Sequence, residues 1–468
     1  MTFAKLPKAI LELGSIFARN GFELALVGGP VRDAFLGLPI HDFDFTTSAR
    51  PEDTEKLLKQ WGDATWNIGK EFGTIGAARE DLVVEVTTYR TEDYDPNSRK
   101  PEVQYGDSIE GDLTRRDFTV NAMAVTLPQM KLVDVCGGLD DLVAGVLRTP
   151  VTAEQSFDDD PLRIMRAARF AAQLGFSVAE DVRTAMTNMA GRLNIVSVER
   201  IQAELYRLII SPDPRRGLEI MVDTGVGDIV LPELANLRET TDEHGRHKDV
   251  YTHTLTVLEQ AMALETDADG PVPAPDFVLR FAAIMHDCGK PATRRYAPDG
   301  TVSFHAHDIV GARMTTKRMK ALRFDKATTK AVARLVELHL RFHGYGEQRW
   351  SDSAVRRYVT DAGDLLERLN RLTRADVTTG NRRKARRLWA AMDELEQRIV
   401  QLKEQEEIDA IRPDLDGTQI MRLLDIKPGP VVGKAYKFLM DLRMEEGPLG
   451  EEEATRRLLA WWEEQTRD

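Results

Sequence analysis

The sequence predicts an α+β chain, a mixed sheet with helices in the first 150 residues followed by an all-helical remainder. Short strand-like runs at 23–27, 74–79 and 82–89 sit among turn residues near the start. Beyond residue 151 the apolar residues recur at helical spacing instead. The histidines then divide the helical part: eight of nine fall between His244 and His343, so a chemically distinct region begins near Asp242. A chain of 468 residues has room for several domains.

The totals narrow the function. Two cysteines, Cys136 and Cys288, make neither a disulfide framework nor a cysteine zinc site. The first eight residues lack the apolar core of a signal peptide, and no apolar run has the length of a membrane span. A soluble cytoplasmic protein is expected. A net charge of −13 argues against a protein that coats nucleic acid, though a local basic patch can still bind RNA.

The chain opens with Leu6, Ala9, Ile10, Leu13, Ile16 and Phe17 at helical spacing. The strand at 23–27 runs into Gly28-Gly29, where the backbone can approach a phosphate because neither residue has a Cβ. A helix over 31–36 follows, with an N-terminus that favours anions. Asp42 and Asp44 come next, two apart, so a strand puts both carboxylates on one face and Phe43 and Phe45 on the other. Two aligned carboxylates beside a phosphate cradle describe a site for Mg²⁺ and a nucleoside triphosphate.

A helix is expected over 51–60, then the strand pair turning at Glu80-Asp81. Glu85 in the second strand is a lone carboxylate among apolar residues, costly if buried unless paired or metal-bound. Residues 94–107 read as a mobile loop. Arg115-Arg116 lie in Arg-Arg-Asp-Phe-Thr-Val-Asn-Ala, where adjacent arginines offset phosphate charge. Asp117 and Asn121 either bind ribose or tie the arginines in place. A strand at Asp134 runs into a glycine turn. Asp160-Pro161 then opens a helix, with Asp160 as its cap.

Asp160 and Arg163 are three apart and lie side by side on that helix. A carboxylate accepts from an exocyclic amine, and a guanidinium donates to a ring nitrogen. Cytosine and adenine show that pair on one edge, whereas guanine and uracil put a carbonyl where the amine would be. Such an edge accepts CTP and ATP without a nucleic-acid template. Arg166 and Arg169 continue at threes, each step turning about 60° around the helix, and face either phosphate or structure. Helices over 178–189 and 197–210 follow, and the neck ends near residue 235.

These motifs resemble the DNA polymerase β-like nucleotidyltransferases. Leu-Val-Gly-Gly-Pro-Val-Arg-Asp is similar to the version in class II tRNA nucleotidyltransferases and bacterial poly(A) polymerases. The arginine motif matches that family without departure. The family's Glu-Asp-x-x-Arg motif stands here as Asp159-Asp160-Pro161-Leu162-Arg163, with Asp where Glu is usual. The resemblance implies a polymerase β-like head with Asp42, Asp44 and Glu85 as the Mg²⁺ site. It implies nucleotide binding by Gly29, Arg32, Arg116, Asp160, Arg163, Arg166 and Arg169. It further implies a hinge near Asp134 to Leu142, and Glu199 and Glu204 bracing the base-reading helix.

A second site is carried by His253, by His286-Asp287 at the end of an apolar helix, and by Asp376. Their order resembles the HD phosphohydrolases. Imidazole and carboxylate together suit a divalent transition metal or Mg²⁺. His307 and His339 would extend the set to two metals. The chemistry expected is metal-assisted phosphoester hydrolysis; the alternative is an inert structural site. Further on, Arg382, Arg383, Arg386 and Arg387 form i,i+4 pairs and so a basic helix face, either an RNA contact or a solvated surface.

The expected organisation is a head at 1–150, a neck with the base-reading helix at 151–235, an HD domain at 236–390 and a helical C-terminal region at 391–468. The expected activity is addition of CMP and AMP to the tRNA 3′ end from CTP and ATP. The nearest alternative is a poly(A) polymerase or an enzyme adding only part of the CCA end. A rival from another class is an HD phosphohydrolase whose N-terminal half binds RNA.

Overall fold

The computed structural model describes every residue except 1–4, 41, 68, 70–72, 92–103, 107, 241–248, 299–301, 346–349, 379–380, 407–410 and 467–468. It divides into two compact units, residues 1–230 and 231–468. The sequence expected a break near 235, and the observed one precedes Leu231-Pro232. The expected loop at 94–107 falls largely outside the described residues, as does His41.

In the first unit the described residues form a seven-stranded mixed sheet. Its strands are β1 (Leu24–Val27), β2 (Phe43–Thr47), β3 (Ala64–Trp66), β4 (Thr74–Arg79), β5 (Leu82–Thr88), β6 (Ala124–Leu127) and β7 (Lys131–Val133). Their spatial order is β3-β4-β5-β2-β1-β6-β7. Only the β2–β5 pair is parallel, and it sets Asp44 directly beside Glu85. Alternation holds in β2: Phe43 and Phe45 are buried and Asp44 is exposed. Helix α1 (Lys8–Arg19) buries Ile10, Leu13 and Phe17, each worth about 1.5–3 kcal/mol of apolar burial. Gly14 lets α1 lie close to β6, since a Cβ there would meet the Leu127 Cβ at 2.5 Å.

Helix α2 (Gly29–Leu36) starts at the glycine pair, two residues earlier than its pattern predicts. Helix α3 (Pro51–Trp61) docks on α1 through Trp61, whose Nε1 donates to the Ala9 carbonyl at 2.7 Å. Asp134 lies beyond β7 and not in a strand; its carboxylate accepts from the Gly138 and Leu139 amides at 2.8 and 2.9 Å and caps the next helix. Helices α4 (Leu162–Leu174) and α5 (Val198–Ile209) pack together in the same unit.

The second unit is mostly helical. Its metal-site elements are α6 (Val250–Ala263), α7 (Phe277–Met285), α8 (His307–Ala321), α9 (Lys326–Leu338) and α10 (Leu366–Ala375). Helix α11 (Arg382–Glu406) follows. In the C-terminal region Asp416 and Gln419 make a capping box, and Trp461 stacks on Phe438 beside the core of Leu439 and Leu458. Trp461 and Trp462 are both partly buried against that core.

Candidate active site and candidate metal centre

A cleft of about 620 Å³ opens in the first unit, lined by nine arginines and five aspartates. That cation excess suits a polyanionic ligand. Gly29, Arg32, Asp42, Asp44, Arg116, Asp160, Arg163, Arg166 and Arg169 all line it. Glu85 does not. It sits beside Asp44 on the exposed sheet face, open to solvent, so no burial cost arises there.

Gly28 occupies the left-handed region at φ 78°, and a Cβ there would stand 3.1 Å from Arg116 Nη1. The turn therefore brings backbone and guanidinium together at the start of α2. Partial desolvation in the cleft pushes the Asp44 carboxyl above its ordinary range; Glu85 adds to this, Arg116 opposes it, and Asp42 contributes a smaller push. Asp44 and Glu85 on one open sheet face, with Asp42 close by, are a place for a cation. Mg²⁺ commonly takes one or two carboxylates together with substrate phosphates, so an open set suffices.

The arginines are held by acids behind them. Asp112 is fully buried and accepts from Arg115 at 3.0 Å and Arg116 at 3.2 Å. Burial would raise its carboxyl, but Arg116 and Arg115 hold it below the ordinary range. Asp117 likewise takes Arg166 at 2.6 Å, the Asn121 amide and the Phe118 N–H, and lies low despite burial. Asn121 in turn accepts from Arg32 at 2.6 Å. Of the two roles left open for Asp117 and Asn121, the geometry supports tying the arginines in place.

Glu204 on α5 accepts from Arg169 at 2.8 Å and Arg166 at 3.5 Å. It is buried and ties α5 to α4 through these two arginines, while Glu199 is exposed on the same helix. Glu204→Ala strands a buried Arg169 beside Arg166. It should cost about 3–5 kcal/mol of stability, read from the denaturant midpoint of the full chain.

Pro161 is already helical, and Asp160 sits at the joint before α4, one residue from the expected boundary. Its Oδ1 accepts from the Leu162 N–H at 3.1 Å and its Oδ2 pairs with Arg200 at 2.7 Å. Arg163 donates to the Ser156 hydroxyl at 3.0 Å and to the Arg115 carbonyl at 2.6 Å. Sequence reasoning missed Asp112, Ser156, Arg200 and Arg207. A signal existed for the last two: Arg200, Glu204 and Arg207 are spaced by four and three, one face of a helix.

The second unit gathers six groups. His253, His286 and Asp376 have ligand atoms within 4.8 Å of one another, as do Asp287, His307 and His339. Among the described residues only these two trios do so, which leaves the looser Asp42, Asp44 and Glu85 set apart. Asp287 joins the trios: its Oδ2 is 3.3 Å from His286 and its Oδ1 is 3.3 Å from His307.

The tautomers are fixed from behind. His286, His307 and His339 each direct Nδ1 at the carbonyl three residues upstream, at 2.8, 2.8 and 2.6 Å. A carbonyl only accepts, so Nδ1 carries the proton in each, and in the neutral ring Nε2 presents a lone pair. The Nε2 atoms of His307 and His339 are buried without a hydrogen-bond partner, as metal ligands would be. Burial draws His286 down but Asp287 outweighs it, to about 10, whereas burial and the His286 charge push His339 to about 4. Lys290, also unforeseen, reaches Asp287 Oδ2 at 2.9 Å.

Arg382, Arg383, Arg386 and Arg387 are all exposed on α11, and among the described residues none is ion-paired. Among those residues, no helix is long and apolar enough to cross a membrane.

Three family matches cover most of the chain. Residues 24–148 match the poly A polymerase head domain, 175–237 the probable RNA and SrmB-binding site of polymerase A, and 250–402 the HD domain. The A-adding tRNA nucleotidyltransferase of Deinococcus radiodurans is 34% identical over 454 residues, covering 94% of this chain and 96% of that protein. The CCA-adding enzyme of Streptococcus gordonii is 42% identical over 224 residues, 48% of this chain and 55% of that one, so this match spans about half of each. In fold, the chain is similar to the Bacillus stearothermophilus CCA-adding enzyme in complex with CTP. The TM-score is 0.68 at 22% identity over 98% of both chains. The Thermotoga maritima CCA-adding enzyme complexed with tRNA gives 0.62 at 18% identity, over 98% of this chain and 96% of that one. With a full-length relative at this identity, the chain belongs to the class II tRNA nucleotidyltransferase and poly(A) polymerase family and carries an HD domain.

Proposed function

We propose that this protein adds CMP and AMP to the 3′ end of tRNA, using CTP and ATP without a nucleic-acid template. The observation that carries this reading is one cleft that holds Asp42 and Asp44 together with Asp160 and Arg163. Reaction chemistry and base choice thus share a wall.

Asp42 and Asp44, with Glu85 beside them, would hold Mg²⁺. Bound there, the ion supplies a more acidic primer 3′-OH and charge relief for departing pyrophosphate. The start of α2 at Gly29, with Arg32 and Arg116, binds the triphosphate. Asp160 accepts from the exocyclic amine and Arg163 donates to the ring nitrogen. Arg166 and Arg169 complete the nucleotide site while their ion pairs to Asp117 and Glu204 keep α4 in position. The basic face at Arg382, Arg383, Arg386 and Arg387 contacts the tRNA backbone. Segments 1–150, 151–235, 236–390 and 391–468 serve as head, neck, HD domain and C-terminal region. A tRNA-processing role fits a cytoplasmic location.

The HD residues His253, His286, Asp287 and Asp376 would hold a divalent transition metal or Mg²⁺, with His307 and His339 available for a second ion. When bound, the metal supplies an activated water for phosphoester hydrolysis, such as the opening of a 2′,3′-cyclic phosphate. His286→Ala or Asp287→Ala should lower bound metal and hydrolysis while CTP and ATP addition continues. Elemental analysis checks this; unchanged metal content would reduce both to core residues.

A second reading, addition of AMP alone, has one observation in its favour: the relative matched end to end is an A-adding enzyme. Two substrates separate the readings. A tRNA lacking all of CCA should accept labelled CMP, and one ending in CC should accept AMP. Use of ATP on the second and nothing on the first would select the A-adding reading.

A further inference from the structure

Asp160 stands at the joint between two helices, its N–H donating to the Ser156 carbonyl and its carbonyl accepting from the Arg163 N–H. It joins helix Ala153–Asp159 to α4, with an extended backbone at φ −146° and ψ 101°. Its side chain has two anchors, the Leu162 N–H on Oδ1 and Arg200 on Oδ2. Arg163 is different: it lies in the first turn of α4 and is tied to Ser156 and the Arg115 carbonyl. The two base-reading groups are therefore held by separate supports.

We infer that Arg200 is a positioning residue for base selection, fixing the acceptor face of Asp160 toward the nucleobase. This rests on the reading that Asp160 contacts the base. Arg200 is itself well placed to hold a fixed position. Glu204, one turn further along α5, is tied to Arg166 and Arg169 on α4. The reader and its support thus hang on the same two packed helices. An exposed ion pair contributes little to stability, and Arg200 is 52% exposed, so folding does not account for the pair's place in the cleft wall.

The orientation matters because selectivity here comes from an acceptor aimed at an amine. A carboxylate pinned at one oxygen by a backbone N–H and at the other by a guanidinium keeps its remaining lone pairs in fixed directions. With Arg200 gone, Asp160 keeps one anchor and can turn away. A carbonyl of uracil or guanine then meets less repulsion, and the amine of cytosine or adenine gains less. Arg163 and its supports are untouched, so the loss falls on amine reading alone.

The test measures kcat/KM for CTP, ATP, UTP and GTP on one truncated tRNA with the full-length protein. Arg200→Met should cut the preference for CTP and ATP about 10- to 100-fold, mainly through a raised KM for the two good substrates. Arg200→Lys keeps the charge but not the fork and should recover part of the preference. The double variant Arg200→Met with Asp160→Ala should be no less selective than Asp160→Ala alone. A thermal melt matching the native chain excludes loss of folding. Full preference in Arg200→Met, or effects that simply multiply with those of Asp160→Ala, overturns the inference and leaves Asp160 as base reader. Tighter use of CTP and ATP would mark Arg200 as a competitor for Asp160 and overturn it too. If Asp160→Ala itself keeps the native preference, the base-reading account falls and this inference with it.

Discussion

Replacing Asp42 or Asp44 with Ala should abolish nucleotide addition, a loss of about 10³-fold or more, while HD-dependent hydrolysis survives. Both carboxylates are exposed and line the cleft, Asp44 in β2 and Asp42 just ahead of it. Nothing in the packing depends on them, so the variants should fold. The Asp44 carboxyl is raised by partial burial and then by Glu85, with a smaller push from Asp42. The HD groups belong to the other compact unit of the chain. Phosphoester hydrolysis and metal content at that site should therefore be unchanged. Loss of both activities in a folded variant would contradict independent sites. Survival of all measured activity in Asp42→Ala would favour the rival, an HD phosphohydrolase with an RNA-binding N-terminal half.

The second large effect concerns selectivity. Asp160→Ala should weaken CTP and ATP use and narrow their advantage over UTP and GTP. Sites that pair a polar group with a substrate hydrogen-bonding group discriminate by about 10⁴-fold or more, so the narrowing is large. Arg163→Ala removes the donor and leaves an acceptor on the base unpaired, at a cost of about 1–3 kcal/mol. It also frees the Ser156 hydroxyl and the Arg115 carbonyl, so its effect on overall rate should exceed that of Asp160→Ala. Metal binding at Asp42 and Asp44 should persist in both. The measurement is kcat/KM for all four nucleotides on one truncated tRNA. An Asp160→Ala enzyme with its preference intact would reduce the motif to a capped helix beside the cleft.

Local pattern made much of this site legible. The alternation from Asp42 to Phe45 pointed to the two carboxylates, of which Asp44 lies on the open face of β2 and Asp42 just ahead of it, and Gly28 announced a turn that other residues resist. The i,i+3 spacing from Asp160 to Arg169 placed one helix along the cleft. The supports were hidden because they depend on distant packing. Arg163 finds the Arg115 carbonyl 48 residues away, and Asp160 finds Arg200 across 40. Glu85 shows the same limit from the other side. Its environment follows from the parallel β2–β5 register, which alternation within one strand does not reveal. The HD cluster was legible by residue type and order. That Asp287 joins both trios was not, because it needs five helices to converge.

One cleft that reads an amine and a ring nitrogen should add CCA without a template. A tRNA lacking its CCA end, incubated with all four nucleotides and Mg²⁺ and then sequenced at its 3′ terminus, tests it most directly. The ends should read C, then CC, then CCA, with no U or G and no further growth. A long run of A, or incorporation of UMP and GMP at comparable rates, would contradict it.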